Sequence, residues 1–189
     1  PASEHAFGTR PSFVYGNHRG VGVGTAAPRT TLNAVWVGMN PQGQPRGNGG
    51  TNVNYANGVW FDPSAYGGRV GVDGSLARTY ISGNKGVGLV IQAPRVTIVN
   101  TAIGLGPDGS CVPNGAVAGV YFTPFAEHGR VGIGGSHNLT YVSCNQDNGI
   151  ESEAVGLTID NAAVGLSFNG QAAGNGGCGV EVFATNTTI

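Results

Sequence analysis

Acidic side chains are concentrated toward the C-terminal end of this chain, where they could bind a cation or transfer protons. Asp147, Glu151 and Glu153 lie close together, and Glu181 follows 30 positions after Glu151. Carboxylate oxygens are the ligands that calcium prefers, and a pair of carboxylates can act as acid and base. No basic residue stands at matching positions, so we favour the interpretation that these carboxylates keep a solvated surface soluble. A calcium site at Asp147, Glu151 and Glu153 is the first alternative, and catalysis is the second; otherwise we expect no cofactor.

Trp60 and Tyr121 form a second candidate site, because they stand 61 positions apart at equivalent places in the chain. Aromatic rings presented on one face can stack on sugar rings or lie in a protein interface. Cover by overlying loops and a protein interface are the two interpretations that we rank first. Glycan binding ranks third.

The chain has three cysteines, so at most two of them can pair within it. A glycine begins each predicted turn of the chain, as described below. Cys111 and Cys144 stand at the most similar distances after the glycine of their own turn. We predict a disulfide between them, provided that their Cα atoms come within about 7 Å. Cys178 then remains as a single thiol, either buried and inert or paired between chains.

Other kinds of chemistry find no support in the sequence. The histidines show no spacing typical of metal ligands, no serine lies in a nucleophile-elbow context, and no helix follows the glycine-rich stretches as in a phosphate loop. We therefore expect no catalytic residue and no enzymatic activity. The histidines concerned are His5, His18, His128 and His137.

An internal repeat determines which elements must position these residues. Residues 58–84 and 119–145 agree at 15 of 27 positions without a gap, and residues 96–109 agree with 157–170 at 7 of 14. A looser copy precedes them at an offset of 66, at which Ala27-Pro28-Arg29 recurs as Ala93-Pro94-Arg95. Repetition at a fixed period is typical of a solenoid, in which each unit buries its apolar face against its neighbours.

Each copy contains a half-period, because a glycine followed by an apolar residue recurs at spacings of 30, 31, 30 and 30. Each of these glycines begins a short alternating segment, and alternation in a strand assigns every residue to one face. The first inward column is Val59, Leu89, Val120, Ile150 and Val180, and the second is Phe61, Ile91, Phe122, Ser152 and Val182. The outward column between them is Trp60, Val90, Tyr121, Glu151 and Glu181.

Two further strands are predicted in each turn. The first contains Val70 and Val72 in one copy of the repeat and Val131 and Ile133 in the other. The second contains Tyr80 and Ile81. Asparagines recur at matching corners, where stacked amides can form hydrogen bonds along the stack and tolerate a left-handed backbone. One corner carries Asn17, Asn84 and Asn145, and the other carries Asn33, Asn100 and Asn161.

A composite pattern now supports a resemblance. Its parts are Asn100-x-x-Ile103-Gly104-x-x-Pro107-Asp108-Gly109, Pro113-Asn114-Gly115, Gly119-Val120, Ile133-Gly134-Gly135 and Val142-Ser143-x-Asn145. The pattern resembles the tandem repeat of secreted right-handed parallel β-helix proteins in the pectate-lyase-like superfamily, over about residues 20–183. The resemblance implies an all-β solenoid with about 30 residues per turn in a 61–66-residue double-turn repeat. It also implies a cell-surface module, since most such repeats have no known activity.

Composition limits the partners and the compartment. The net charge is -1 and the basic residues are scattered, so no basic stripe exists to bind nucleic acid. No apolar run is long enough to span a membrane. The sequons at Asn138 and Asn186 are consistent with glycosylation and secretion, although such triplets also arise by chance in a chain rich in Asn and Thr. We expect an extracellular or cell-surface protein.

Residues 1–13 match no part of the repeat, so the predicted division is an N-terminal extension followed by a solenoid over residues 14–189. The extension would either cap the first turn or add a strand to a neighbouring subunit. The function that we predict is a structural module that associates with itself head to tail in a filament, layer or adhesin. The alternative is a carbohydrate-binding protein, or a polysaccharide lyase or hydrolase, that uses the outward aromatic and acidic face.

Overall fold

The computed structural model describes residues 11–17, 21–49, 56–115 and 117–189. Within these ranges the chain forms 17 strands and no helix, and every pairing between two strands is parallel. The predicted all-β class and the parallel arrangement are therefore confirmed. His5 and His18 lie outside the described residues, as do residues 1–10 of the predicted extension.

The strands form three sheets, and each sheet takes every third strand of the chain. Sheet A contains β1 (Ser12–Val14), β4 (Val35–Val37), β7 (Thr79–Ile81), β10 (Thr101–Ile103), β13 (Thr140–Val142) and β16 (Ala162–Val164). Sheet B contains β2 (Val23–Thr25), β5 (Val59–Phe61), β8 (Leu89–Ile91), β11 (Ala118–Phe122), β14 (Asn148–Ser152) and β17 (Val180–Val182). Sheet C contains β3 (Thr31–Leu32), β6 (Arg69–Val70), β9 (Thr97–Ile98), β12 (Arg130–Val131) and β15 (Thr158–Ile159).

Three consecutive strands, one from each sheet, make one layer of the stack, which we call a rung. The sixth rung consists of β16, β17 and a bridge from Thr188 to Thr158 at the edge of sheet C. This order of strands is compatible with a parallel β-helix.

The predicted inward columns form the core. Val59 pairs with Leu89, and the register continues through Val120 and Ile150 to Val180. Because side chains alternate along a strand, these residues and the residues two positions after them all face the interior. Phe61 and Phe122 are among the largest fully buried side chains there. Equivalent residues therefore stack on one another from rung to rung, as the repeat requires.

One predicted strand length needs correction, and β1 adds a detail at the start of the described chain. β1 begins at Ser12 and pairs with β4, so this strand includes the last two residues of the predicted extension. In sheet C, β6 and β12 end at Val70 and Val131, although the alternation predicted two more residues for each. The glycine that follows each of these strands has a positive φ, which is incompatible with extended backbone.

The rungs alternate between two types, which differ in the connection after the strand of sheet A. After β4, β10 and β16 the chain forms a hairpin closed by an antiparallel bridge, and we call these hairpin rungs. The bridges are Met39 to Pro45, Leu105 to Cys111 and Leu166 to Ala172. After β1, β7 and β13 a single residue with positive φ turns the chain, and we call these corner rungs; the residues are Gly16, Gly83 and Cys144. The two types of rung explain why the repeat is two turns long.

An uninterrupted ladder of six asparagines runs through the corner beside sheet A. Each Nδ2 donates to the Oδ1 of the asparagine one rung later, at 2.7–3.0 Å. The members are Asn17, Asn48, Asn84, Asn114, Asn145 and Asn175. The predicted stacking of asparagines is confirmed here, and three members were missed because they stand on the alternate rungs.

The second predicted corner contains one error. Asn100 and Asn161 do turn the chain with positive φ, and their side chains donate to the carbonyl oxygens of Ser75 and Ser136. The equivalent residue of the second rung is Ala34, which also has positive φ, and not Asn33. At the offset of 66 residues, Asn100 corresponds to Ala34, and Asn33 stands one residue before that position.

Candidate functional site on the outer face of sheet B

The outer face of sheet B carries the aromatic and acidic residues that the sequence singles out. The outward column runs Gly24, Trp60, Val90, Tyr121, Glu151 and Glu181 in register. Trp60 and Tyr121 are therefore two strands apart, which corresponds to roughly 10 Å. Both rings are partly exposed, and no loop covers them completely.

An open hollow of about 270 Å³ lies beside Trp60. Gly24 lines the hollow, and no atom lies within 4 Å of the place that a Cβ on this residue would occupy. Trp60 donates from its indole Nε1 to Oε1 of Gln92 at 3.1 Å, which fixes the plane of the ring. Asp62 stands at the rim, where hydrogen bonds from the backbone and hydroxyl of Ser64 lower the pKa of its carboxyl group. The hollow thus combines an aromatic face with an ionised carboxylate.

Tyr121 forms the centre of the acidic half of the face. Its hydroxyl donates to Oε2 of Glu153 at 3.0 Å. Burial, the hydrogen bond to Glu153 and the charges of Glu153 and Glu151 together raise the pKa of Tyr121 to about 12. The phenol therefore stays protonated at neutral pH and acts as a hydrogen-bond donor.

Two residues, Asn148 and Tyr121, donate hydrogen bonds to these carboxylates. Asn148 donates from Nδ2 to Glu151 at 3.0 Å and to Glu181 at 2.7 Å, whereas Glu153 accepts from Tyr121. The structure does not bring Asp147, Glu151 and Glu153 together, and among the residues it describes no three His, Cys, Asp or Glu side chains could hold one metal ion. The role of Asn148 was missed, although it stands where the preceding rung has Ala118 and this difference was visible in the repeat.

The two cysteines that the sequence pairs are joined by a disulfide, with their Cα atoms 5.4 Å apart. Cys144 turns the chain with a φ of 60° where the other copy has Gly83. The bond ties the hairpin that ends at Cys111 to the corner of the next rung. Cys178 is an exposed free thiol.

Aromatic residues also stack along the outer face of sheet A. Phe13, Trp36 and Tyr80 stack edge to face with ring centroids 5.1 and 5.3 Å apart. Farther along, Arg78 lies 4.8 Å from the ring centroids of both Tyr141 and Phe168, and Phe168 belongs to the last hairpin. The last hairpin thus packs on an aromatic outer face, of which Tyr80 and Tyr141 were visible in the predicted third strand.

The remaining predicted sites differ in their exposure. Asn186 is exposed and Asn138 is half-buried, whereas the sequon residue Thr140 is fully buried. His128 turns the chain with positive φ, and His137 is exposed. In the part of the chain that the structure describes, no helix could cross a membrane. No protein-family model matches this chain, and neither does any curated protein or solved structure compared with it.

Proposed function

We propose that the chain is a right-handed parallel β-helix of the pectate-lyase-like type, with about 30 residues per turn in a 61–66-residue double-turn repeat. We propose further that it is a non-enzymatic structural module at the cell surface or outside the cell. In this role it associates end to end into a filament, layer or adhesin.

The observation that carries this proposal is the exposure of core-facing side chains at both ends of the stack. Val14 and Val23 on the first rung are only partly buried, as are Val164 and Val180 on the last. Val59, at the equivalent place inside the stack, is fully buried. Within the described ranges, neither β2 nor β17 has a strand on its outer side. Such edges are surfaces that the strands of another chain would complete.

Sedimentation at increasing concentration tests the proposal. The unmodified chain should form species of growing mass, and electron microscopy should show rods. The variant Val23→Lys should remain monomeric because it places a charge on the end surface. Val155→Lys, a change on an exposed loop, is the matched control and should assemble. Circular dichroism should show the same β content for all three. An unmodified chain that stays monomeric at high concentration would contradict the proposal.

The role of the N-terminal extension remains a prediction. Because β1 begins at Ser12, the deletion that tests the role must stop at residue 10 and leave the strand intact. Loss of assembly with unchanged β content would identify a strand that reaches to a neighbour. Unfolding or aggregation of the truncated monomer would identify a cap.

The hollow beside Trp60 supports carbohydrate binding as a second candidate function. An aromatic face stacks on sugar rings, and the neighbouring Asp62 and Gln92 could accept or donate hydrogen bonds to sugar hydroxyl groups. The chain has two tryptophans, so a Trp36→Phe background isolates the fluorescence of Trp60. Neutral and acidic oligosaccharides, with and without calcium, should then quench Trp60, and the quenching should weaken in Asp62→Ala. If no sugar quenches Trp60 and lyase and hydrolase assays show no turnover, this candidate fails.

A further inference from the structure

The asparagine ladder ends with complementary hydrogen-bonding groups. Asn48, Asn84, Asn114 and Asn145 are at most 2 % exposed, and each donates both to a backbone carbonyl and to the next asparagine. Asn175 donates to the carbonyl of Val142, and no described residue accepts from it a second time. At the other end, Asn17 is exposed, and no described residue donates to its Oδ1. Among the residues that the structure describes, one end therefore presents a donor and the other an acceptor.

From this polarity we propose that a second copy of this chain stacks its first rung on the last rung of the first copy. Asn175 then donates to Asn17 of the second copy, and the ladder continues across the interface. This inference rests on the proposed end-to-end assembly and specifies its partner and its register.

The alternation of rungs supports the same register. The first rung is a corner rung and the last is a hairpin rung, so a second copy placed on the last rung preserves the alternation. Hairpins on successive hairpin rungs contact each other, since a Cβ on Gly43 would lie 3.3 Å from Pro107 and one on Gly109 would lie 3.3 Å from Phe168. A hairpin is two strands wide and fills the spacing of two rungs, about 10 Å. The rung that follows β16 must therefore turn through a short corner, as β1 does at Gly16.

The backbone at the two ends also matches. Inside the stack, Val59 donates to the carbonyl of Gly88, and Phe61 accepts from the N–H of Gln92, both at 2.9 Å. On β17 the equivalent groups are the N–H of Val180 and the carbonyl of Val182. Their partners in the second copy are the equivalents of Gly88 and Gln92 on its first rung, namely the carbonyl of Gly22 and the N–H of Ala26. In this register Glu181 lies directly beside Gly24 of the second copy.

Cross-linking through introduced cysteines tests this register. In a Cys178→Ser background, one sample carries Glu181→Cys and another carries Gly24→Cys, and the two are mixed with a short bismaleimide. Neither position touches the core, since Gly24 lies on open space. The mixture should give a covalent dimer, and a chain carrying both changes should give a ladder of multimers. Each single variant alone should stay uncoupled, because a head-to-tail interface brings no residue close to its own copy.

The controls separate the register from assembly itself. Leu76→Cys, at a fully exposed position away from the ends, should not couple to Glu181→Cys. Asn175→Asp should raise the concentration needed for assembly by about tenfold or more, because it replaces a donor with a charged acceptor that faces an acceptor. Asn169→Asp, the same change on an exposed hairpin, should leave that concentration unchanged. Rods that form without coupling of Gly24→Cys to Glu181→Cys would overturn the register while leaving the proposed function standing. A chain that never assembles would overturn both.

Discussion

A Cβ atom on Gly88 would lie 2.7 Å from Nδ2 of Asn114 and 2.6 Å from the carbonyl oxygen of Gly119. Glycine is thus required at this position because the asparagine ladder passes directly over it. The same relationship joins Gly58 to Asn84, where the distance to Nδ2 is 2.5 Å. A glycine column and an asparagine column therefore depend on each other from Gly22 to Gly149.

Gly88→Ala should destabilise the protein by about 1–3 kcal/mol, the usual penalty for overpacking a filled interior. The added methyl group meets backbone and a buried amide, neither of which can move without disturbing the ladder. Gly174→Ala is the control, because no atom lies within 4 Å of that Cβ position. Urea unfolding followed by circular dichroism measures both, and equal midpoints would contradict the steric argument.

Asn114→Ala should lower the free energy of unfolding by more than about 2 kcal/mol, since an unsatisfied buried polar group costs about 1–3 kcal/mol and several are created. The substitution leaves the backbone N–H of Asn84 and the Oδ1 of Asn145 without the partner that Asn114 provides, and it removes one of the two donors to the carbonyl of Ile81. Asn169→Ala removes hydrogen bonds of similar number from an exposed hairpin and should cost less than about 1 kcal/mol. A cost for Asn114→Ala no larger than that of the control would show that the ladder contributes little to stability.

The corner at Cys144 should prefer glycine once the disulfide is absent. With Cys111→Ser as background, Cys144→Gly should be about 1 kcal/mol more stable than Cys144→Ser, because φ is positive there and glycine adopts this conformation without steric penalty. Thermal unfolding of the two double variants under reducing conditions gives the difference. The reverse order would mean that the side chain contributes more than the backbone conformation does.

Stability should fall at alkaline pH partly through Tyr121. Its pKa is about 12 in the folded chain against 10.0 ordinarily, so above pH 10 the unfolded chain loses this proton first. The contribution of the neutral phenol is therefore fully present below about pH 10 and is lost as the pH rises toward 12. Absorbance titration should show the pKa of Tyr121 falling in Glu153→Gln. Tyr121→Phe should remove this part of the pH dependence, and an unchanged alkaline profile would contradict the assignment.

Alternation and the repeat predicted the sheets well, because a parallel stack in register places equivalent residues on one face. The inward columns through Val59 and Phe61 and the outward column through Trp60 needed no further information. The complete ladder was harder to predict. Asn48, Asn114 and Asn175 stand on hairpin rungs, which the 61-residue comparison does not align with corner rungs. A glycine follows each of these three asparagines, and this shared pair of residues was the signal in the sequence that could have identified them.

The hydrogen bonds of the candidate site could not be predicted from the period. Contacts such as that of Tyr121 with Glu153 join an outward residue to a different position on the next rung. They depend on side-chain length and rotamer, whereas the period determines only the register of the backbone. The hairpins likewise lie outside the alternation of strands, so the packing of Phe168 from the last hairpin on Tyr141 required the structure.

The alternation between hairpin and corner also restricts how insertions and deletions can change the length of this chain. Loss of a corner rung from inside the stack would put two hairpins on consecutive strands of sheet A, where each already occupies the space of two strands. Loss of a hairpin rung would instead place two corners next to each other. Changes inside the stack that keep the alternation therefore add or remove two rungs, which here is a step of 61–66 residues.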